Sequence, residues 1–229
     1  MLSGTEWAIV GLTLKVGAAA MAVTLPIAFA LAWVLARGRF PGRILLDGLV
    51  HLPLVLPPVV TGWLLLIAFA PNGPLGGALQ SWFGVTVLFK WTGAAIASGV
   101  MALPLMVRAI RLSIEAVDQR LESAARTLGA GQWRVFWTIT LPLSLPGVLA
   151  GLVLGFARSI GEFGATITFV SNVPGETQTL PLAIYGALQL PGGEAIVIRL
   201  AAVSIILAMA ALIGSELLAR RAGRGLHVL

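Results

Sequence analysis

Long apolar runs, each long enough to cross a bilayer, alternate along this chain with short polar connections. Turn signals mark several connections, among them Pro41-Gly42, Pro71-Asn72-Gly73-Pro74 and Pro191-Gly192-Gly193. We therefore predict an all-α integral membrane protein whose 229 residues form a single transmembrane domain. The five predicted spans cover residues 8–36, 45–70, 92–114, 143–170 and 196–219.

The fourth run is longer than a straight helix needs to cross a hydrocarbon core of about 30 Å. Gly161 and Gly164 lie in its second half and offer a place for the helix to break. Irregular backbone at membrane depth is tolerated only where protein buries it or where it lines a cavity. We therefore expect the far end of this run to be a kinked part of the spanning path.

Composition supports the membrane assignment. The chain is 58% hydrophobic and 10% charged, whereas soluble proteins are about 25% charged. It has no cysteine, which excludes disulfides, thiolate metal sites and cysteine nucleophiles. No basic stretch precedes the first apolar run, so we expect that run to be retained rather than cleaved as a signal peptide. We predict no catalytic residues, no metal site and no nucleic-acid partner.

The positions of the basic residues predict an orientation. With five spans, three arginine groups share one side of the membrane, and they hold most of the 15 lysines and arginines. The loops on the other side, near 71–91 and 171–195, hold only Lys90. The positive-inside rule then places the N-terminus outside and the C-terminus in the cytoplasm. The groups are Arg37, Arg39 and Arg43; Arg108, Arg111, Arg120, Arg126 and Arg134; and Arg220, Arg221 and Arg224.

A polar segment at about 118–138 lies on the predicted cytoplasmic side and indicates two short amphipathic helices joined by a turn. Apolar residues recur in it with helical spacing, and Gly129 stands where a helix end favours positive φ. Two interpretations remain: the helices lie on lipid, or they present a compact surface to another protein. The pattern comprises Asp118 as N-cap, then Leu121, Ala124, Ala125 and Leu128, and in the second helix Trp133, Phe136 and Trp137.

The spacing in this segment resembles the EAA loop of ABC importer permeases, which is Glu-Ala-Ala, three residues, Gly, nine residues and Ile-x-Leu-Pro. Ser123 stands at the position of the motif's glutamate, and Glu122 precedes it. The resemblance implies that the segment docks on a cytosolic ATPase. The residues it implicates are Glu122, Ser123, Ala124, Ala125, Arg126, Leu128, Gly129, Ile139, Leu141 and Pro142.

Two further stretches, 51–62 and 157–172, resemble the corresponding segments of bacterial molybdate permeases, and 174–181 fits that group better than the related sulfate permeases. The resemblance implies a type I ABC importer permease bundle in the bacterial inner membrane. It also implies a homodimer, two cytosolic ATPase subunits and a periplasmic binding protein that delivers the anion. Molybdate or tungstate is the implied cargo, with sulfate or thiosulfate as the alternative.

The chain has no phosphate-binding loop of its own. Such a loop needs Gly-x-x-x-x-Gly-Lys-Ser/Thr, and neither Lys15 nor Lys90 lies in one. We therefore expect no cofactor on this chain, with ATP and Mg used by the partner ATPase. A stand-alone channel or secondary transporter is less favoured, because such proteins usually carry several intramembrane carboxylates and Glu162 is the clearest one here. Lys15 itself is expected to reach outward to the membrane interface.

Arg158 and Glu162 are four residues apart within the fourth run and can pair on one helix face. Ionisable groups in a span cost roughly 2.5–3.5 kcal/mol each, so a partner or an aqueous path is expected. The pair either braces a broken helix or shapes the gate. The candidate gate or path residues are Arg158, Gly161, Glu162, Gly164, Thr166 and Thr168, and the candidate helix-packing residues are Gly147, Gly151 and Gly155.

Overall fold

The computed structural model describes residues 2–224, and within them every regular element is helical. The predicted all-α class is confirmed. In chain order the elements are α1 (Gly4–Arg37), α2 (Arg43–Val55), α3 (Pro58–Phe69), α4 (Pro74–Phe83), α5 (Trp91–Glu115), α6 (Gln119–Thr127), α7 (Gln132–Val135), a π-helical turn (Phe136–Thr140), α8 (Leu141–Ile160), α9 (Gly164–Val170), α10 (Leu180–Leu188) and α11 (Glu194–Arg224).

Helix α5 is the centre of the bundle and packs against both α1 and α8. Small side chains such as Ala28 on α1 and Ala97 and Ala102 on α5 are fully buried at these contacts. Helices approach closely where their interface residues are small, which compensates for the absence of a hydrophobic driving force between spans. At the end away from the 118–138 segment, Arg199 on α11 forms an ion pair of 2.8 Å with Glu6 on α1.

Four helical stretches in the described residues are long and apolar enough to span a membrane: Gly4–Arg37, Trp91–Glu115, Gln132–Ile160 and Glu194–Gly214. The predicted second span, 45–70, is not one straight helix. It consists of α2 and α3, bent by 114° at Leu56-Pro57. Pro57 and Pro58 carry no N–H and push the residues before them into extended backbone, which ends α2. Counting the bent pair as one span gives the predicted five.

The predicted break in the fourth run is present, because α8 ends at Ile160 and α9 begins at Gly164. The connections near 71–91 and 171–195, read from the sequence as loops, carry the short helices α4 and α10. Side chains are described up to Gly214, together with Leu217. The side chains of Arg220, Arg221 and Arg224, predicted to be cytoplasmic, lie outside the described residues.

Candidate coupling loop and translocation path

Helix α6 begins and ends where local chemistry favours it. The Asp118 side chain is the N-cap and accepts a 2.9 Å hydrogen bond from the Arg120 N–H. At the other end, Ala130 N–H donates to the Ala125 carbonyl and Gly129 N–H to the Arg126 carbonyl. These two bonds form a Schellman motif, and Gly129 adopts the left-handed conformation, φ 86°, that the motif needs. The predicted helix and turn are therefore confirmed.

Glu122 fixes α6 to the membrane bundle. Its Oε1 atom accepts hydrogen bonds from Arg37 Nη2 at 2.7 Å and from Thr140 Oγ1 at 2.8 Å. The same Arg37 nitrogen lies 3.4 Å from the Ile114 carbonyl near the end of α5. This carboxylate is largely buried and joins α6, the end of α1 and the π-helical turn at one point. We call this set of contacts the Glu122 cluster.

Leu121 in α6 and Leu128 at its C-cap face outward, although a small amphipathic helix normally buries its leucines. Leu128 is 89% exposed, and Leu121, Ser123 and Ala124 are also exposed. The Ser123 hydroxyl donates a 2.9 Å hydrogen bond to the Gln119 carbonyl within its own helix. Glu122 is therefore turned inward, and Leu121 and Leu128 form an exposed apolar surface on the single chain. Ala125 is half-buried, and Arg126 and Gly129 are exposed.

The second half of the loop corrects a prediction. We expected a separate short helix before the fourth span, but α7, the π-helical turn and α8 form one continuous helical stretch, Gln132–Ile160. Pro142 in the first turn of α8 lacks an N–H and crowds the carbonyl four residues earlier, which favours a wider turn. Ile139 lies in that turn and Leu141 begins α8, both half-buried, while Pro142 is exposed.

An aromatic cluster anchors this second half to α1. The Phe136 ring makes edge contacts with Trp33 at 5.1 Å and with Phe29 at 6.0 Å between ring centroids. Trp137 packs on the same ring at 5.2 Å, and Trp133 is 78% exposed. The predicted aromatic face exists, and Phe136 is the member that packs into the bundle.

A second ionic cluster, which sequence reasoning missed, lies at the same end of the bundle and holds α2 to α5. Arg111 donates from Nη1 to Asp47 Oδ1 at 2.9 Å and from Nε to Glu115 Oε1 at 2.8 Å. His51 Nδ1 lies 3.4 Å from the same Asp47 oxygen. The i, i+4 spacing of Arg111 and Glu115 could have predicted their ion pair, whereas the contact with Asp47 depends on the tertiary fold.

Arg158 and Glu162 meet across the break between α8 and α9. Arg158 Nη1 lies 2.7 Å from Glu162 Oε2, and the Glu162 side chain is 1% exposed. The other oxygen, Oε1, accepts the Ala165 N–H at 2.8 Å in the first turn of α9. Glu162 therefore satisfies an otherwise unpaired helix N-terminus and neutralises an arginine in the same span.

The break also brings α9 against α3. A Cβ placed on Gly164 would lie 2.7 Å from Pro58 Cβ, and one on Gly62 would lie 2.9 Å from Thr168 Cβ. Thr168 Oγ1 donates to the Gly164 carbonyl at 2.9 Å, so its hydroxyl serves its own helix. Thr166 Oγ1 is buried and has no hydrogen-bond partner among the described residues. Gly161, at the end of α8, is exposed.

The glycine stripe of α8 lies against α5 of the same chain. A Cβ on Gly151 would be 3.2 Å from the Met106 carbonyl oxygen, and one on Gly155 would be 2.7 Å from Met106 Cγ. At Gly147 an added Cβ would overlap the Ser113 side chain. These three positions therefore allow α8 and α5 to approach backbone to backbone.

The sequence matches a known family over residues 18–224, a family described as "Binding-protein-dependent transport system inner membrane component". The chain belongs to this family. It is therefore a multi-pass inner-membrane component of a transport system, and the predicted ABC permease membership and fold are confirmed.

The permease is 58% identical over 228 residues to the Molybdenum transport system permease protein ModB of Escherichia coli (strain K12), covering 98% of this chain and 100% of that one. It is also 58% identical over 216 residues to ModB of Haemophilus influenzae, covering 94% of each chain. The Sulfate transport system permease protein CysT of Escherichia coli (strain K12) is 39% identical over 180 residues, which cover 77% of this chain and 65% of that one.

Solved structures show the same fold at low identity. A bacterial alginate ABC transporter in complex with its pentasaccharide-bound periplasmic protein aligns with a TM-score of 0.75 at 19% identity, over 96% of this permease and 80% of that chain. The MetNI methionine ABC transporter in an inward-facing conformation aligns with a TM-score of 0.68 at 15% identity. The alignment covers 95% of this permease and 94% of that chain.

Proposed function

We propose that this permease is the membrane-spanning subunit of an ATP-driven importer that carries molybdate, and also tungstate, into the cytoplasm. The observation that carries the proposal is the 58% identity, over nearly the full length of both chains, to a relative named for molybdenum transport. The sulfate permease relative is more distant at 39%. Sulfate transport is therefore the second candidate.

ATP hydrolysis is assigned to a cytosolic partner, which docks on the exposed face of α6. That face offers Leu121, Ala124 and Leu128, and the Glu122 cluster holds the helix in a fixed orientation beneath the bundle. A surface of exposed leucines on a fixed helix is suited to a groove in a partner protein. Two ATPases would then serve two copies of the permease.

The α2–α3 bend supports the second copy. Pro57 and Pro58 lack an N–H, so the carbonyls of Pro53 and Leu54 lose their helical donors. Backbone groups left unpaired at membrane depth are tolerated only against protein or beside water. Both prolines are exposed on the single chain. A homodimer with an aqueous path between its copies would provide that environment, and the neighbouring α9, with the Arg158–Glu162 pair, would border the path.

We infer the orientation from charge. Arg37, Arg43 and Arg111 lie at the end of the bundle that carries α6, and this end would face the cytoplasm by the positive-inside rule. The N-terminus would then face the periplasm, where a binding protein delivers the anion, and the C-terminus would be cytoplasmic.

Uptake of labelled molybdate tests the proposal. The chain is produced with its own ATPase and binding protein in a bacterial strain that lacks molybdate uptake. We expect uptake to be restored, to be inhibited by excess tungstate and to be unaffected by the same excess of sulfate. Equal inhibition by sulfate would favour the second candidate, and ATP-independent uptake would overturn the importer assignment.

A further inference from the structure

A groove of about 440 Å³ runs along the outside of the bundle between α1 and α5. Its walls are almost entirely apolar, and small residues such as Ala20 and Gly99 contribute to them. Thr24 is a polar member of the wall, with its hydroxyl beside Gly99. The residues that define its length are Ala20, Thr24 and Ile27 on α1 and Trp91, Gly99 and Leu103 on α5.

One end of the groove lies at the level of a membrane interface. Lys15 and Arg37 are separated on α1 by about 33 Å at ~1.5 Å per residue, close to the thickness of a hydrocarbon core, about 30 Å. Since Arg37 contacts the coupling helix α6, Lys15 marks the opposite interface. Trp91 begins α5 at the same level, because the Lys15 ammonium lies 3.9 Å from its ring centroid. Lysine and tryptophan are typical residues of that boundary.

The length of the groove limits what can occupy it. From Trp91 to Leu103 it extends about 18 Å along α5 at ~1.5 Å per residue. One leaflet of the hydrocarbon core is about 15 Å deep, half of the whole. A transmembrane helix of a partner would need a seam along the full core, about twice this length. A single acyl chain that starts at the interface matches the groove in both depth and polarity.

The charge at the mouth of the groove indicates the kind of lipid. Lys15 is exposed, its ammonium lies over the Trp91 ring, and in the described part of the chain it forms no ion pair with a carboxylate. We propose that the groove binds one acyl chain of an anionic phospholipid from the leaflet opposite α6, with the lipid phosphate at the Lys15 ammonium. The lipid fills the space that the small residues of α1 and α5 leave between them.

Native mass spectrometry of the full-length permease in mild detergent, with added phosphatidylglycerol or phosphatidylcholine, tests this site. We expect the wild type to retain phosphatidylglycerol preferentially. Lys15→Gln should reduce that preference about fivefold, the effect of one basic residue near an anionic surface, and Lys15→Arg should preserve it. Lys90→Gln is the matched control, because Lys90 is also exposed at this end of the bundle, whereas it is the Lys15 ammonium that lies over the Trp91 ring at the groove.

A second variant tests the acyl chain itself. Val23 lines the groove and is 64% exposed, so Val23→Trp should fill the groove and abolish retention of either lipid at this site. Ile205→Trp on α11 is the control, since Ile205 is also 64% exposed and lies elsewhere. Unchanged retention by both Lys15→Gln and Val23→Trp would overturn the proposal. Because the chain has no cysteine, a Val23→Cys variant that forms disulfide-linked dimers would instead place a second copy in the groove.

Discussion

Arg37, in the last turn of α1, donates a 2.7 Å hydrogen bond to Glu122 on α6, 85 residues away along the chain. The carboxylate that precedes the Ser-Ala-Ala stretch therefore points into the permease and not toward an ATPase. Any contact of the loop with a partner must come from the outward face, where Leu121, Ser123 and Leu128 lie. Glu122 is a positioning residue for that face.

Glu122→Ala should weaken both the fold and the association with the ATPase. Removing one member of a largely buried ion pair leaves Arg37 uncompensated and costs on the order of 3 kcal/mol. We expect a lower melting temperature in detergent and less co-purified ATPase. Ser123→Ala on the exposed side is the control and should leave the melting temperature unchanged. The assignment is wrong if Glu122→Ala leaves the melting temperature unchanged, as Ser123→Ala should.

Gly129→Val should disrupt docking without affecting insertion. A β-branched residue is strained at φ 86°, so the Schellman turn that ends α6 would be lost or distorted. The matched control is Gly131→Val, because Gly131 has φ −68° and no atoms near an added Cβ. Co-purification with the ATPase measures the difference. Equal complex formation by the two variants would show that the turn geometry is unimportant.

The Arg158–Glu162 pair can be tested as a brace and as a gate separately. Glu162→Gln leaves a charged Arg158 in the span and should destabilise the protein by roughly 2.5–3.5 kcal/mol. The double variant Arg158→Gln, Glu162→Gln carries no charge and should recover most of that stability. We expect its molybdate uptake to remain low, since the gate would lack its ion pair. Normal uptake and normal ATPase coupling in the double variant would leave only the bracing role.

Gly147→Ala should destabilise the contact between α8 and α5. The added methyl group would overlap Ser113 and approach the Ala109 carbonyl, and overpacking of this kind costs about 1–3 kcal/mol. The control is Gly11→Ala in α1, where nothing lies near an added Cβ. Alanine there should be neutral or stabilising by up to about 1 kcal/mol from helix propensity. Thermal unfolding that fails to separate the two variants would contradict the packing assignment.

The sequence predicted those features that depend on local chemistry. The Asp118 cap, the left-handed Gly129 and the break between Gly161 and Gly164 all follow from the preferences of single residues. The apolar spans follow from length and hydropathy. The two adjacent prolines also indicate the bend at Pro57-Pro58. We predicted one span there because the apolar run continues through both prolines.

Long-range pairing could not be predicted. No local sequence pattern indicates that Glu122 binds Arg37 and Thr140, or that Asp47 binds Arg111. Those contacts form only after the spans have packed. The exposure of Leu121 and Leu128 could not be predicted from the sequence either. Helical spacing identifies an apolar face but does not say whether the chain itself or a partner covers it.

The unbroken helical stretch from Gln132 to Ile160 has a mechanical consequence. Its 29 residues form a lever about 43 Å long at ~1.5 Å per residue, with one end beside the Gly129 turn and the other beside the Arg158–Glu162 pair. A tilt of about 5° about the α6 end would displace the far end by about 4 Å, more than the ~1–2 Å helix shifts that suffice in many switching proteins. A small movement of a docked ATPase would therefore reach the Arg158–Glu162 pair through one continuous helical stretch.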